Sequence, residues 1–145
     1  MDANSKTCPI CSELLIGSVE HGRSRWRIPC RNCRVYDFLE VVDFAMILPE
    51  SHQKAVFSHA VREMTESGNS VPFLDVRLVH AILGWPIPTV SDQCDKLLRW
   101  LCTTSVAPGR NKVISPSMDR AIFGAESNGG FKLILEFLEC EDSSR

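Results

Sequence analysis

The stretch CPICSELLIGSVEHGRSRWRIPCRNC, from Cys8 to Cys33, holds two Cys-x-x-Cys pairs with 18 residues between them. No other feature of the chain restricts its fold so tightly. A Cys-x-x-Cys turn presents two sulfurs to one point. A second such turn, brought over by a hairpin, completes the tetrahedral shell that zinc takes with thiolates. The spacing Cys-x2-Cys-x18-Cys-x2-Cys lies within the range that reads as a zinc site. Cys8, Cys11, Cys30 and Cys33 are therefore the expected ligands of one Zn2+. Four thiolates leave no coordination position for water, so the expected metal is structural rather than catalytic.

The competing uses of these thiols are weaker. A thioredoxin-like redox pair needs one Cys-x-x-Cys beside a βαβ pattern, and none follows. Disulfides need an oxidising compartment. The opening residues MDANSKTC are polar, with no apolar run behind them, so a cytoplasmic, reducing setting is expected. No apolar run approaches the ~20 residues of a membrane span, and no membrane partner is expected.

Between the cysteine pairs the pattern reads as a hairpin. Residues 14–19 suit one strand, Glu20-His21-Gly22-Arg23 the turn, and 24–28 the returning strand, where Trp26 and Ile28 alternate with Arg25 and Arg27. Residues 35–38 suit a third strand, and His21 reads as a turn residue rather than a ligand. Beyond the ribbon, VVDFAMIL is apolar and fits strand or helix. ESHQKAVFSHAVREMTE reads as a helix with Phe57, Ala60, Val61 and Met64 inward. A second helix is expected over 74–83, with Leu74, Leu78, Ala81 and Ile82 inward and Gly84 as its stop. Thr89 and Asp92 suit a capping box for the next helix. There Cys94, Leu97, Leu98, Leu101 and Cys102 form a buried stripe, and both cysteines are expected in the core. APGRN suits a turn, 112–115 a short strand, 116–123 a short helix ending at Gly124, ESNGG a loop and 131–138 the last helix. That helix is apolar nearly all round, so burial on more than one side is expected.

The expected class is α+β: a small N-terminal zinc ribbon over residues 1–47, a β-hairpin with a four-cysteine site, followed by a mostly α-helical, winged-helix-like segment over 48–145. From Thr89 onward the order helix, short strand, helix, turn, helix is that of a winged helix-turn-helix before its wing. The two wing strands should come next, but the chain runs into ECEDSSR. It is expected to be the front part of a longer polypeptide, or to pack its last helix on a partner.

CPIC, CRNCRVYDF, DQCDKLLRWL, APGRNKVIS and GGFKLILEFL together resemble an N-terminal module of bacterial multidomain proteins, some in anti-phage defence. There a zinc ribbon and a winged-helix-like segment precede an effector domain. The resemblance implies a recognition or regulatory part, not a catalytic one. Arg34 departs from it, since ribbons of this type often carry Gly at that position, and the missing wing departs too.

No catalytic motif is present: no Gly-x-Ser-x-Gly, His-Glu-x-x-His or P-loop. Gly129-Gly130 reads as a helix entry rather than a phosphate cradle, and His52 and His59 as solvated. No small-molecule substrate is evident, and the chain is expected not to be an enzyme. The net charge of -2 excludes a protein-wide basic field, yet residues 1–35 carry six basic and three acidic side chains. Arg23, Arg25 and Arg27 share strand parity, Arg31 and Arg34 flank the second Cys pair, and Trp26 lies beside them. Such a face could grip phosphates or stack on bases. The last helix argues otherwise, offering Lys132 against Glu136, Glu139, Glu141 and Asp142, where groove contacts need cations or amides. The expected function is an interaction or sensor module docking on a protein partner or a downstream domain. The alternative is a DNA- or RNA-binding regulator using the arginine face.

Overall fold

The computed structural model describes residues 5–68, 70–104, 114–125 and 128–142. It is mixed α+β, as expected: an N-terminal four-stranded sheet carrying a cysteine cluster, followed by helices. The strands are β1 (Glu20–Gly22), β2 (Arg25–Cys30), β3 (Arg34–Leu39) and β4 (Phe73–Leu74), in sheet order β1-β2-β3-β4. The first three are antiparallel, and β4 joins β3 in parallel. The helices are α1 (Phe44–Ile47), α2 (Ser51–Ser67), α3 (Val76–Leu83), α4 (Val90–Thr104), α5 (Pro116–Phe123) and α6 (Asn128–Asp142).

The β1–β2 turn is Arg23-Ser24, both at positive φ (48° and 62°), the pattern of a two-residue hairpin turn that follows the twist of the strands. The turn therefore lies further along the chain than expected, and His21 sits in β1 opposite Trp26. The strand expected over 14–19 is reduced to isolated bridges, Thr7 with Leu14 and Leu15 with Cys30. Pro29 accounts for this. It has no N–H to give, so only its carbonyl joins, accepting from Ile16 N at 3.0 Å.

Helix α2 is the centre of the molecule. Its eight consecutive residues Ala55 to Arg62 are all buried, which requires cover on both sides. Phe57, Ala60 and Val61 face a core shared with the sheet and α3, where Phe38 meets Phe44 edge-on at 5.1 Å and Phe44 meets Phe57 at 6.0 Å. This core runs without a break from Cys8 to Ile82 and so crosses residues 47 and 48. The opposite side of α2 packs on α5. His59 lies there, buried, and not solvated as its spacing from His52 suggests.

A second core joins α4, α5 and α6 around Leu97, Phe123 and Phe131. Phe123 stacks on Phe131 at 5.4 Å and meets Trp100 edge-on at 5.8 Å. The capping box forms as expected: Thr89 N donates to Asp92 Oδ2 at 2.9 Å, and Asp92 N donates to Thr89 Oγ1 at 3.2 Å. The α4 stripe is narrower than expected. Cys94 and Leu97 are buried and Leu101 partly so, but Leu98 and Cys102 are exposed. Helix α3 starts after Asp75, whose carboxylate accepts from Leu78 N, and buries Val79 and Ile82; Leu74 belongs to β4, and Ala81 faces outward.

Gly124 ends α5 at φ +72°, and a Cβ there would come within 2.9 Å of Pro88 Cγ. Gly129 and Gly130 fall in the first turn of α6 rather than in a loop. That helix buries Phe131 and Ile134 but leaves Leu133 exposed, so it is not covered all round. The turn expected at 107–111 and most of the strand expected at 112–115 lie outside the described residues, and Ile114 and Ser115 are not in a strand.

Candidate metal centre

The first knuckle, Cys8-Pro9-Ile10-Cys11, is closed by backbone bonds from Ser12 N to Cys8 O (2.9 Å) and from Cys8 N to Glu13 O (2.8 Å). The second, Cys30-Arg31-Asn32-Cys33, links the end of β2 to the start of β3, and Cys33 N donates to Cys30 Sγ at 3.3 Å. The residue after each pair, Ser12 and Arg34, takes positive φ (63° and 71°). Sequence reading marks Arg34 as standing where Gly is usual, and the backbone there has the left-handed form that Gly adopts without strain. Bonding of Leu15 N to Lys6 O and the Leu15–Cys30 bridge bring the first knuckle over the second.

The four sulfurs meet inside the protein. Cys8 Sγ lies 3.9 Å from Cys33 Sγ, Cys11 Sγ lies 3.5 Å from Cys30 Sγ, and all four fall within 4.8 Å of one another. None of these cysteines is more than 7 % exposed. A disulfide needs sulfurs about 2.05 Å apart, and these four cysteines form none. A tetrahedral ion with metal–sulfur bonds of about 2.3 Å would separate its sulfurs by about 3.8 Å, so the cluster fits such an ion. Burial pushes the Cys8 and Cys33 thiols well above the ordinary value, while hydrogen bonding from Cys30 and the other two thiols holds Cys11 well below it. Four thiols this close cannot all ionise against their mutual repulsion, and a cation at their centre removes that obstacle.

Tyr36, wholly buried on β3, places its hydroxyl in hydrogen-bond contact with Cys8 Sγ at 3.3 Å. Burial, reinforced by the charge at Cys8, raises its phenol well above the usual range, so the hydroxyl keeps its proton. Asn32 ties the second knuckle to the helices. Its backbone carbonyl accepts from Arg62 Nη1 at 2.9 Å, and its side-chain Oδ1 accepts from Ala121 N at 3.1 Å. Arg62 is 1 % exposed and also reaches Glu66 (2.6 Å) and Asp119 (3.7 Å). Ala121 O accepts from His59 Nδ1 at 2.8 Å. Tyr36 enters the sequence reading only inside the string CRNCRVYDF of the resemblance, and Asn32 and Arg62 are passed over. Their spacing marks no chemistry, because their partners come from the other end of the chain.

The arginine face is brought together in part. Arg27 grips Asp37 through two bonds, at 2.7 and 3.0 Å, and Arg25 approaches the same carboxylate at 3.7 Å. Arg34 lies 3.5 Å from Glu66. Arg23 and Arg31 are exposed. Trp26 does not join this face. It points to the other side of β2, is 6 % exposed, and stacks on His21 at 4.0 Å. No helix among the described residues is long and apolar enough to cross a membrane.

Comparison of the chain with protein-family models, with curated proteins and with solved structures returns no match.

Proposed function

We propose that the chain is a non-catalytic zinc-ribbon interaction module, in which Cys8, Cys11, Cys30 and Cys33 hold one Zn2+. The carrying observation is the sulfur cluster itself, four thiols within 4.8 Å of one another and shielded from water. Tetrahedral four-sulfur sites suit zinc, or iron in its sulfur centres, and a closed tetrathiolate has no vacant position for substrate. The ion's work is then to hold the ribbon in shape and to present its surface.

That surface favours an acidic protein partner, or a downstream domain of the same polypeptide, over nucleic acid. Arg25 and Arg27 are already engaged by Asp37 and Arg34 by Glu66, which lowers the free positive charge. Trp26 is buried and cannot serve as a stacking platform. The helical segment, read as winged-helix-like, serves as the docking body that carries the ribbon. One observation favours the second reading, a DNA- or RNA-binding regulator: Arg23, Arg25 and Arg27 line a single shallow concavity with Glu20 and His21 at the hairpin end.

One titration separates the two. The zinc-loaded chain is measured against duplex and single-stranded oligonucleotides at low and moderate salt, beside the Arg23→Ala/Arg25→Ala/Arg27→Ala variant. Phosphate contacts release counterions, so nucleic-acid binding falls steeply with salt. Weak binding that the variant leaves unchanged is expected. Affinity in the sub-micromolar range that is salt-sensitive and lost in the variant would establish the regulator reading instead. Metal analysis of the same preparation, finding one zinc per chain, tests the first half of the proposal.

A further inference from the structure

A groove of about 610 Å³ lies between the second knuckle, the start of β3 and the segment that follows α2. Its walls include Ile16, Arg31, Arg34, Val35, Thr65 and Val71. The volume falls inside the roughly 300–1,000 Å³ that ligand-binding clefts span. Three aliphatic side chains from distant parts of the sequence thus meet at one surface. Ile16 is 57 % exposed and Val71 37 %.

The chain before β1 shows that this exposure is not the ordinary outer side of a strand. Alternating residues of an extended segment point to opposite sides, and the side facing water is ordinarily polar. Leu15 packs against the core, so Leu14 and Ile16 take the outward side, and both are aliphatic. Contiguous exposed apolar surface rimmed by polar groups marks sites of interaction.

The rim of the groove is basic. Arg31 is exposed and has no acidic side chain at ion-pair distance among the described residues. Arg34 has only Glu66 Oε1 at 3.5 Å, an oxygen that Arg62 Nε already holds at 2.6 Å. Among the described residues no carboxylate lines the groove. The hairpin end differs, because there Arg25 and Arg27 close on Asp37. Cys30 also belongs to the groove wall and is 1 % exposed. Four thiolates around a divalent ion carry net negative charge, so acidic groups of an occupant belong beside the guanidinium groups at the rim, away from that wall. Apolar groups suit the rest.

We propose that this groove docks a segment of a protein partner in which aliphatic or aromatic side chains are flanked by carboxylates. The apolar side chains cover Ile16, Val35 and Val71. The carboxylates pair with Arg31 and Arg34, whose planar forks hold such groups through two parallel bonds. The sign of the partner's charge rests on the proposed function. The location does not, since it moves the contact from the arginine hairpin to the second knuckle. Docking then falls on the part of the ribbon that the metal would hold in shape.

The test selects a random peptide library, displayed on phage, against the full chain loaded with zinc. Selected sequences are expected to combine apolar residues with Asp or Glu. As synthetic peptides they should bind with a dissociation constant on the order of micromolar and shift the nitrogen-15 amide signals of Ile16, Val35 and Val71. Arg31→Glu and Ile16→Glu both change exposed residues. Each should weaken binding by about tenfold or more, with circular dichroism and zinc content as in the wild type. Arg23→Ala/Arg25→Ala/Arg27→Ala should bind as the wild type does. No enrichment, selected peptides without acidic residues, or affinity unchanged in both groove variants would overturn the inference. So would an oligonucleotide that shifts the same amides, or a zinc-loaded dimer that Ile16→Glu dissociates, because the groove then belongs to nucleic acid or to a second copy. Acidic peptides that bind and are lost only in the triple variant overturn this groove and leave the acidic-partner reading standing. A chain that selects no acidic peptide and binds oligonucleotides overturns both. Selection needs a folded chain and not the metal, so a chain that folds without zinc is tested in the same way.

Discussion

Asn32 accepts the backbone N–H of Ala121 on its side-chain oxygen at 3.1 Å, joining the Cys30–Cys33 knuckle to helix α5 across 89 positions of sequence. Arg62 repeats the connection, giving one N–H to Asn32 O and facing Asp119 of α5 with another. The knuckle and the helical core are thus parts of one hydrogen-bonded junction. Asn32→Ala removes a buried hydrogen bond to the Ala121 N–H, and the loss of one such bond costs about 1 kcal/mol. Chemical denaturation should show that loss. Metal content should stay at wild-type stoichiometry, because no sulfur is touched. A variant as stable as the wild type would show that the bond carries no weight.

The proposed zinc should matter more to stability than any single hydrogen bond. Binding of a structural zinc to four thiolates contributes roughly 10 kcal/mol or more of folding free energy. Cys11→Ser and Cys33→Ser should each abolish stoichiometric zinc and unfold the sheet, read by metal analysis together with circular dichroism. Through Asn32 the damage should reach α5, so the amides of α5 should lose hydrogen-exchange protection along with those of β2 and β3. Protection kept in α5 after metal loss would show that the two cores are independent.

His59 makes stability depend on pH. Burial lowers its pKa, and the facing Lys96 ammonium, which donates to Nε2, lowers it further; Ala121 O on Nδ1 and Glu63 at 3.5 Å act the other way. The folded pKa therefore lies below the unfolded value of about 6.5. The unfolded chain binds the proton more readily, so this contribution is fully present above the unfolded pKa. It is lost as pH falls from there to the folded pKa, below which it changes no further. Melting curves between neutral pH and pH 5 should show the wild type losing stability faster than His59→Gln. Parallel curves would mean that His59 does not titrate in this window.

The cysteine cluster was legible because its ligands come in local pairs, and the alternation of Trp26 and Ile28 with Arg25 and Arg27 was legible because strand parity is local too. The two faces of α2 were not. A helix covered on both sides carries two stripes, and only the apolar one, Phe57, Ala60 and Val61, announces burial. The other holds His59 and Arg62, which look solvated until their partners in α5 and the knuckle are known. The α4 stripe erred in the opposite sense. Helical spacing admits Leu98 and Cys102, but α5 and α6 cover too narrow an arc to reach them. Alkylation of the native, metal-loaded chain should therefore label Cys102 quickly and Cys94 slowly. Equal rates at the two thiols would contradict this register.

Ser12 and Arg34 offer the simplest gain in stability. Both follow a Cys-x-x-Cys pair and both hold positive φ, 63° and 71°. A left-handed backbone costs a residue with a Cβ about 1–2 kcal/mol, and Gly escapes that strain while giving back part of the gain as unfolded-state freedom. Ser12→Gly should stabilise the chain by about 0.5–1 kcal/mol. Arg34→Gly should gain less. It gives up the contact with Glu66 at 3.5 Å, and a half-exposed pair of that kind is worth about 0–1 kcal/mol. Denaturation midpoints of the metal-loaded proteins should rank Ser12→Gly first, Arg34→Gly second and the wild type last or level with it. A loss of stability at Ser12→Gly would mean that its side chain contributes to the knuckle more than its backbone strain removes.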